Sequence, residues 1–277
     1  MSYELGKDFI KIYSKKEFNP QHILECGQVF CYSKEGDKYI VYPQGQYAEI
    51  VQEGDFYIIK TNNPHYFVRW FDLESNYEDI KSCLSTNPIM KNPLIFGYGI
   101  RILKQDLFET LISFVISANN NIKRITMILN NIRQNLGEKI REDIYSFPSY
   151  EKLKMKDEEF FKNMGAGYRA GYIEKLLKQI TPQILEEWEV LPTRELRSKL
   201  IQLSGVGPKV ADCVLLFGYN RGDVFPVDTW IQQMYNTYFP GESNREKIRK
   251  NLVDMFGQLS GYAQQYLFYY QRSGSTM

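Results

Sequence analysis

The sequence predicts an α+β fold, an N-terminal antiparallel sheet domain followed by a helical body, on three observations. Residues 37–62 place strand-type side chains between turn residues. From about residue 100, apolar residues recur at helical spacing. A Gly-Val-Gly-Pro break at 205–208 separates two apolar helical patterns. The chain has 277 residues, 43% of them hydrophobic, enough for a sizeable core in one to three domains.

In the first part, Tyr39, Val41, Tyr47, Ile50, Val51, Tyr57, Ile58 and Ile59 are the strand-type positions. Pro43-Gln44-Gly45 and Glu53-Gly54-Asp55 punctuate them, giving a meander. The first helix of the body follows from Leu107, Leu111, Phe114 and Val115, which share one face. Asp106, with Glu109 three residues on, predicts a capping box at its start. Further helices are expected near 122–135, 169–180, 194–203, 208–218, 243–256 and 261–272. The division is a sheet domain over 1–98 and a helical body over 99–277, with a helix-hairpin-helix at about 194–218.

Four cysteines and two histidines, with no C-x-x-C pair, argue against a zinc or iron–sulfur site. No apolar run is long enough for a membrane span, and charges are scattered through the N-terminal residues. A soluble protein with free thiols is expected. The 21 Tyr and 17 Phe suit either core packing or stacking on flat ligands. A net charge of +1 argues at first against nucleic acid. The charge is uneven, however. Residues 1–100 carry 10 Lys/Arg against 13 Asp/Glu, a net of −3, and residues 101–277 carry 24 against 20, a net of +4. Phosphate binding would then depend on backbone N–H groups and a few placed arginines.

The most informative stretch is 200–230. Gly205 and Gly207 allow a tight hairpin, and Pro208 suits the first position of the next helix. Free N–H groups at such a helix start suit a phosphate, although a plain packing corner has the same pattern. Lys209 lies in the first turn, where the helix dipole disfavours a cation. That field, with desolvation, is expected to favour the free amine, the nucleophilic form. Asp228 follows an apolar Pro226-Val227. Its carboxylate can cap the next helix, stabilise a cationic transition state, or do both. Lys209 and Cys213 share one helix face, as do Gln264 and Phe268.

This segment, Leu203-Ser204-Gly205-Val206-Gly207-Pro208-Lys209-Val210-Ala211-Asp212-Cys213 with Phe225-Pro226-Val227-Asp228, resembles the signature of helix-hairpin-helix/Gly-Pro-Asp DNA glycosylases. Within that superfamily it is most similar to the 8-oxoguanine DNA glycosylases. Four further segments agree in order: Cys26–Phe30, Ser117–Arg124, Gly165–Ala170 and Tyr262–Phe268.

The resemblance implies excision of 8-oxoguanine flipped out of duplex DNA, with associated β-elimination lyase activity. It implies Lys209 as the Schiff-base nucleophile and Asp228 as the carboxylate that stabilises the sugar cation. It implies a base pocket of Gly27, Cys213, Gln264 and Phe268, with the Gly27 carbonyl accepting from the lesion's N7–H. It implies DNA contacts by Asn119, Arg124, Tyr168, Arg169, Gly205 and Gly207, the two arginines holding the opposite cytosine. No cofactor is expected for the chemistry. A structural monovalent or calcium cation on the carbonyls of Ile201, Leu203 and Val206 is implied at the hairpin. The partner is double-stranded DNA containing 8-oxoguanine, with no membrane and a monomeric state expected. The compartment would be the cytoplasm (nucleoid) in a bacterium or the nucleus in a eukaryote.

The resemblance breaks at Trp230, where close relatives carry a phosphate-binding histidine. A four-cysteine cluster typical of relatives that cleave oxidised-adenine mispairs is absent. Two alternatives stand beside this reading: an alkylated-base glycosylase of the same fold, and a non-catalytic hairpin module that only binds DNA.

Overall fold

The computed structural model describes residues 1–274. Six strands come first: β1 (Tyr3–Leu5), β2 (Phe9–Ile12), β3 (Tyr32–Glu35), β4 (Lys38–Val41), β5 (Ala48–Glu53) and β6 (Phe56–Thr61). They form one antiparallel sheet in the order β1-β2-β6-β5-β4-β3. The register aligns Ile10, Ile59, Ile50 and Tyr39 across four strands. All four are buried, so one face of the sheet carries a continuous apolar row. Glu53-Gly54-Asp55 turns as expected, with Gly54 at φ +55°.

Helix begins earlier than the sequence reading placed it. α1 (Pro20–Leu24) interrupts the sheet segment, and α2 (Pro64–Trp70), α3 (Tyr77–Leu84) and α4 (Lys91–Phe96) precede residue 100. The sheet therefore ends at Thr61. Three of these four helices have a readable start: asparagine side chains at 19, 63 and 76 cap α1, α2 and α3, and proline takes the first position after Asn19 and Asn63, whereas α4 has no side-chain cap.

The body then runs through α5 (Leu107–Ser117), α6 (Ile122–Leu136), a small hairpin of β7 (Lys139–Arg141) and β8 (Ile144–Tyr145), α7 (Tyr150–Lys154), α8 (Glu158–Asn163), α9 (Arg169–Gln179) and α10 (Pro182–Glu187). It closes with α11 (Thr193–Ile201), α12 (Pro208–Phe217), α13 (Thr229–Tyr238), α14 (Arg245–Phe256) and α15 (Ser260–Gly274). The expected helices are all present within a few residues. No helix among the described residues is long and apolar enough to cross a membrane.

Only half of the predicted capping box forms. Asp106 accepts from the Glu109 N–H at 2.7 Å, as expected. The Glu109 carboxylate turns away and takes Arg133 Nη2 at 2.7 Å. Arg133 is almost fully buried on α6, and a buried guanidinium needs a counter-charge more than the cap needs a second bond.

Three apolar cores hold the chain together. One lies under the sheet, around Phe18, Phe67, Trp70 and Phe71. A second fills the helical body, around Phe114, Val115, Leu200 and Val214. The third joins Cys26, Leu94 and Ile100 from the first hundred residues to Phe225, Ile231, Tyr266 and Leu267 near the end. This last core brings the loop at Gly27 against α15. Cys26, Cys31, Cys83 and Cys213 are all free thiols, and only Cys83 is exposed.

Candidate active site

The α11–α12 turn is a hairpin that its glycines make possible. Gly205 sits at φ +77°, and a Cβ there would lie 2.8 Å from Tyr172 Cβ. Only glycine meets both conditions. Gly207 is the N-cap of α12 and faces open space. α12 has no side-chain cap, whereas Asp106, Asn121 and Asp228 cap α5, α6 and α13. The first-turn N–H groups of α12 are therefore available to an anion at an open surface. In the same turn, Leu203 O accepts from Val206 N at 3.1 Å.

This helix start forms one wall of a cavity of about 1290 Å³. Lys209, Asp228, Gly27, Phe268 and Asn119 line it together, drawn from five separate segments. Lys209 is half-buried, its Nζ 5.2 Å from the centroid of the Phe114 ring. Asp228 caps α13, accepting from Ile231 N at 3.0 Å through Oδ1. Both expected uses of that carboxylate are thus geometrically compatible: one oxygen holds the helix, and the group remains in the cavity wall.

Between Lys209 and Cys213, Asp212 anchors α12 from below. It is 1% exposed and takes Arg197 in a fork (2.7 and 3.2 Å) and Arg249 Nε at 2.9 Å. This anchor was not anticipated. The signal was a lone carboxylate in the run of α12 that is otherwise apolar after Lys209, a position that demands cationic partners. Burial pushes the Cys213 thiol up to about 11, with the neighbouring Lys209 ammonium pulling the other way. Cys213 and Lys209 are therefore neighbours, as their spacing predicted.

Gly27 sits at φ +87°. A Cβ there would meet Phe268 Cε1 at an ordinary 3.4 Å and Arg272 Nη1, the end of a flexible side chain, at 3.0 Å, so it is the positive φ that favours glycine. The flanking residue Gln28 is fully buried. It donates to Ile23 O and Arg101 O (2.9 and 2.8 Å) and accepts from Leu103 N at 2.9 Å.

The four expected pocket residues do not all face the cavity. Gly27 and Phe268 line it, while Cys213 and Gln264 lie buried behind its wall. The Phe268 ring stands beside Gly27 in that wall. The Gln264 Oε1 is buried without a hydrogen-bond partner among the described residues, an unusual state for a polar atom.

The two loops predicted to meet DNA lie side by side. Asn119 adopts the left-handed region at φ +49°, which asparagine tolerates, and is exposed at the cavity. Asn120 donates to Ile116 O at 3.1 Å and Asn121 caps α6, so the asparagines divide the work of turning the chain. Tyr168 is 57% exposed and its hydroxyl donates to Ala118 O at 3.3 Å. Arg124 is exposed, with Nη2 3.4 Å from Gly165 O.

Arg169 departs from expectation. It is 4% exposed and donates to Ala118 O at 2.8 Å and Asn119 O at 2.7 Å. Its fork ties the two loops together instead of facing outward, because two carbonyls turned inward by the Asn119 bend need a donor.

Trp230 lines the cavity beside Asp228. Arg245 lies in the same wall, held by Gln232 Oε1 at 2.9 Å and Thr229 Oγ1 at 3.3 Å. Arg272 was also missed, although it stands one helical turn beyond Phe268.

Comparison with known proteins identifies relatives in sequence and fold. Residues 11–111 match the family described as 8-oxoguanine DNA glycosylase, N-terminal domain. Residues 112–258 match the HhH-GPD superfamily base excision DNA repair protein family. A probable N-glycosylase/DNA lyase from Methanothermobacter thermautotrophicus is 30% identical over 232 residues, 75% of this chain and 74% of the relative. The crystal structure of a Clostridium acetobutylicum 8-oxoguanine glycosylase/lyase, in complex with double-stranded DNA containing cytosine opposite 8-oxoguanine, superposes with a TM-score of 0.93 at 36% identity over 99% of both chains. A 3-methyladenine DNA-glycosylase from Archaeoglobus fulgidus shares the fold, with a TM-score of 0.76 at 20% identity over 96% of this chain and 99% of that one. With more than half its length matched by the second of these families, the chain belongs to the HhH-GPD superfamily of base excision DNA repair proteins.

Proposed function

We propose that this protein is a DNA glycosylase that removes 8-oxoguanine from duplex DNA and cleaves the resulting site by β-elimination. The observation that carries the proposal is the shared cavity: a helix-start lysine and a capping aspartate face the same space as Gly27 and Phe268. A base still stacked in a duplex is out of reach of such a cavity, so the nucleotide is flipped into it.

The Lys209 amine attacks the sugar C1′. The bond from C1′ to the base breaks, and its electron pair leaves with the base, which takes up a proton. Positive charge builds on the sugar facing the Asp228 carboxylate. The lysine nitrogen gives up a proton, and the C1′–O4′ bond opens as O4′ takes one up, leaving a Schiff base; the imine acidifies the C2′ proton, whose loss expels the 3′-phosphate. Gly27 supplies the carbonyl that accepts from the lesion's N7–H, a donor that guanine lacks. Phe268 lines the space the base enters, and Cys213 and the unpartnered Gln264 Oε1 meet the base only if its arrival opens the wall they lie behind.

Asn119 and Tyr168 fill and wedge the vacated stack, and Arg124 takes the opposite cytosine. Arg169 joins Arg124 if DNA draws it off Ala118 and Asn119. The N–H groups at Gly207 hold the backbone phosphate, with Gly205 shaping the turn. The carbonyls of Ile201, Leu203 and Val206 are hard oxygen donors suited to a monovalent or calcium cation, which would stiffen the turn.

The test is borohydride reduction in the presence of an 8-oxoguanine duplex. A covalent protein–DNA adduct is expected with the wild type and none with Lys209→Gln. No adduct with the wild type, or an adduct that survives in Lys209→Gln, overturns the reading. The alkylated-base alternative lacks a role for this lysine, and so predicts no adduct.

A further inference from the structure

We propose that Arg272 is a positioning residue for base recognition, setting the Gly27 backbone and the Phe268 ring in register with one another. The inference rests on the glycosylase reading above and extends it to a residue outside the motifs.

Gln264, Phe268 and Arg272 are spaced four apart and form one stripe along α15. The Arg272 guanidinium reaches across to the Gly27 loop, where Nη2 donates to Glu25 O. Its Cζ lies 5.4 Å from the centroid of Phe268 and 6.0 Å from that of Tyr269. Its Nη1 is the nearest atom to the place a Gly27 Cβ would occupy, at 3.0 Å. One planar group therefore touches both walls that would enclose the base.

The bond is to the main chain, so it sets a backbone position. The Glu25 carboxylate itself accepts from the Tyr39 hydroxyl at 2.5 Å and pairs with Lys34 at 3.3 Å. The neighbouring peptide is held by the same helix, Gln265 donating to Cys26 O at 3.2 Å. Beyond Gly27, the buried Gln28 side chain takes over. Gly27 is thus bracketed, with α15 on its N-terminal side and Gln28 on the other. Releasing the Arg272 contact leaves only the Gln265 bond on that side of the bracket and lets the Phe268 ring turn. Arginine suits this task because its flat fork donates in-plane while its face lies on an aromatic ring; a lysine ammonium, a compact point charge, has no flat group to do both at once.

The experiment compares the wild type, Arg272→Met and Arg272→Lys on two substrates: duplex with 8-oxoguanine, and duplex with a preformed abasic site. The abasic substrate needs Lys209 but no base recognition. For Arg272→Met, excision of 8-oxoguanine is expected to fall roughly ten- to hundredfold, as expected for a displaced recognition group. Abasic-site cleavage should stay at the wild-type rate. Arg272→Lys, keeping one donor, should recover part of the loss. Equal excision by Arg272→Met and wild type overturns the inference, and so does an equal loss on both substrates. Should Arg272→Met fail to fold, Arg272→Lys decides, and a wild-type excision ratio in it overturns the inference. A wild type that leaves 8-oxoguanine in place but cleaves abasic sites overturns the base assignment as well.

Discussion

Replacing Asp228 should separate the two tasks of its carboxylate. Oδ1 caps α13 through a 3.0 Å bond from Ile231 N, while the group also lines the cavity with Lys209. Asparagine caps a helix about as well as aspartate does, whereas alanine cannot cap and costs about 1 kcal/mol. Asp228→Asn also removes a negative charge from a helix start, worth about 0.3–1 kcal/mol. The two variants should therefore both melt slightly below the wild type, with Asp228→Ala lower. Each kcal/mol corresponds to about 2–4 °C in a domain of roughly this size.

Activity should follow a different order. Both variants lose the carboxylate that faces the developing sugar charge, and the loss of one such preorganised group costs on the order of 10²–10³ in rate. Single-turnover excision of 8-oxoguanine and thermal melting, measured on the same preparations, test the argument. Near-normal melting with a loss of this size in Asp228→Asn is the expected result. Excision by Asp228→Asn at the wild-type rate refutes the electrostatic role. An Asp228→Asn melting point as low as that of Asp228→Ala, or lower, refutes the capping argument.

Arg133→Met leaves the buried Glu109 without its partner, and a loss of about 3–5 kcal/mol is expected in urea titration. A loss below about 1 kcal/mol, the scale of an exposed pair, would contradict the picture of a buried pair. Gly27→Ala forces a side chain into φ +87° against Phe268, at a strain cost of about 1–2 kcal/mol. It should lose 8-oxoguanine excision yet keep borohydride trapping on abasic DNA, and normal excision would show that no close approach occurs there. The Cys26 and Cys213 thiols are pushed by burial to about 11 from an ordinary 9.0. Unfolded thiols release their protons first, so this contribution to stability is complete below about pH 9 and is lost as pH rises to about 11. Urea midpoints should fall across that window, and less steeply in Cys213→Ala; an identical slope in that variant refutes the assignment.

Local sequence determined a good deal of this protein. Turn residues and alternation marked the meander. Two glycines and a proline marked the hairpin, and spacing of four put Lys209 beside Cys213 and Gln264 beside Phe268. These features depend on backbone preferences and helical geometry, which act within a few residues. The asparagine–proline starts of α1 and α2 were equally local and could have been read.

The tertiary structure decided the rest. Glu109 left its predicted cap because α6 brings a buried Arg133 alongside. Arg169 turned inward because the Asn119 bend presents two carbonyls to it. Gly27 acquired its meaning only when the third core pressed its loop onto α15, against Phe268 and Arg272. No spacing rule reaches between residues 27 and 272. Which groups meet there is set by how apolar faces stack, and the buried charges and bare carbonyls must then find partners wherever that stacking leaves them.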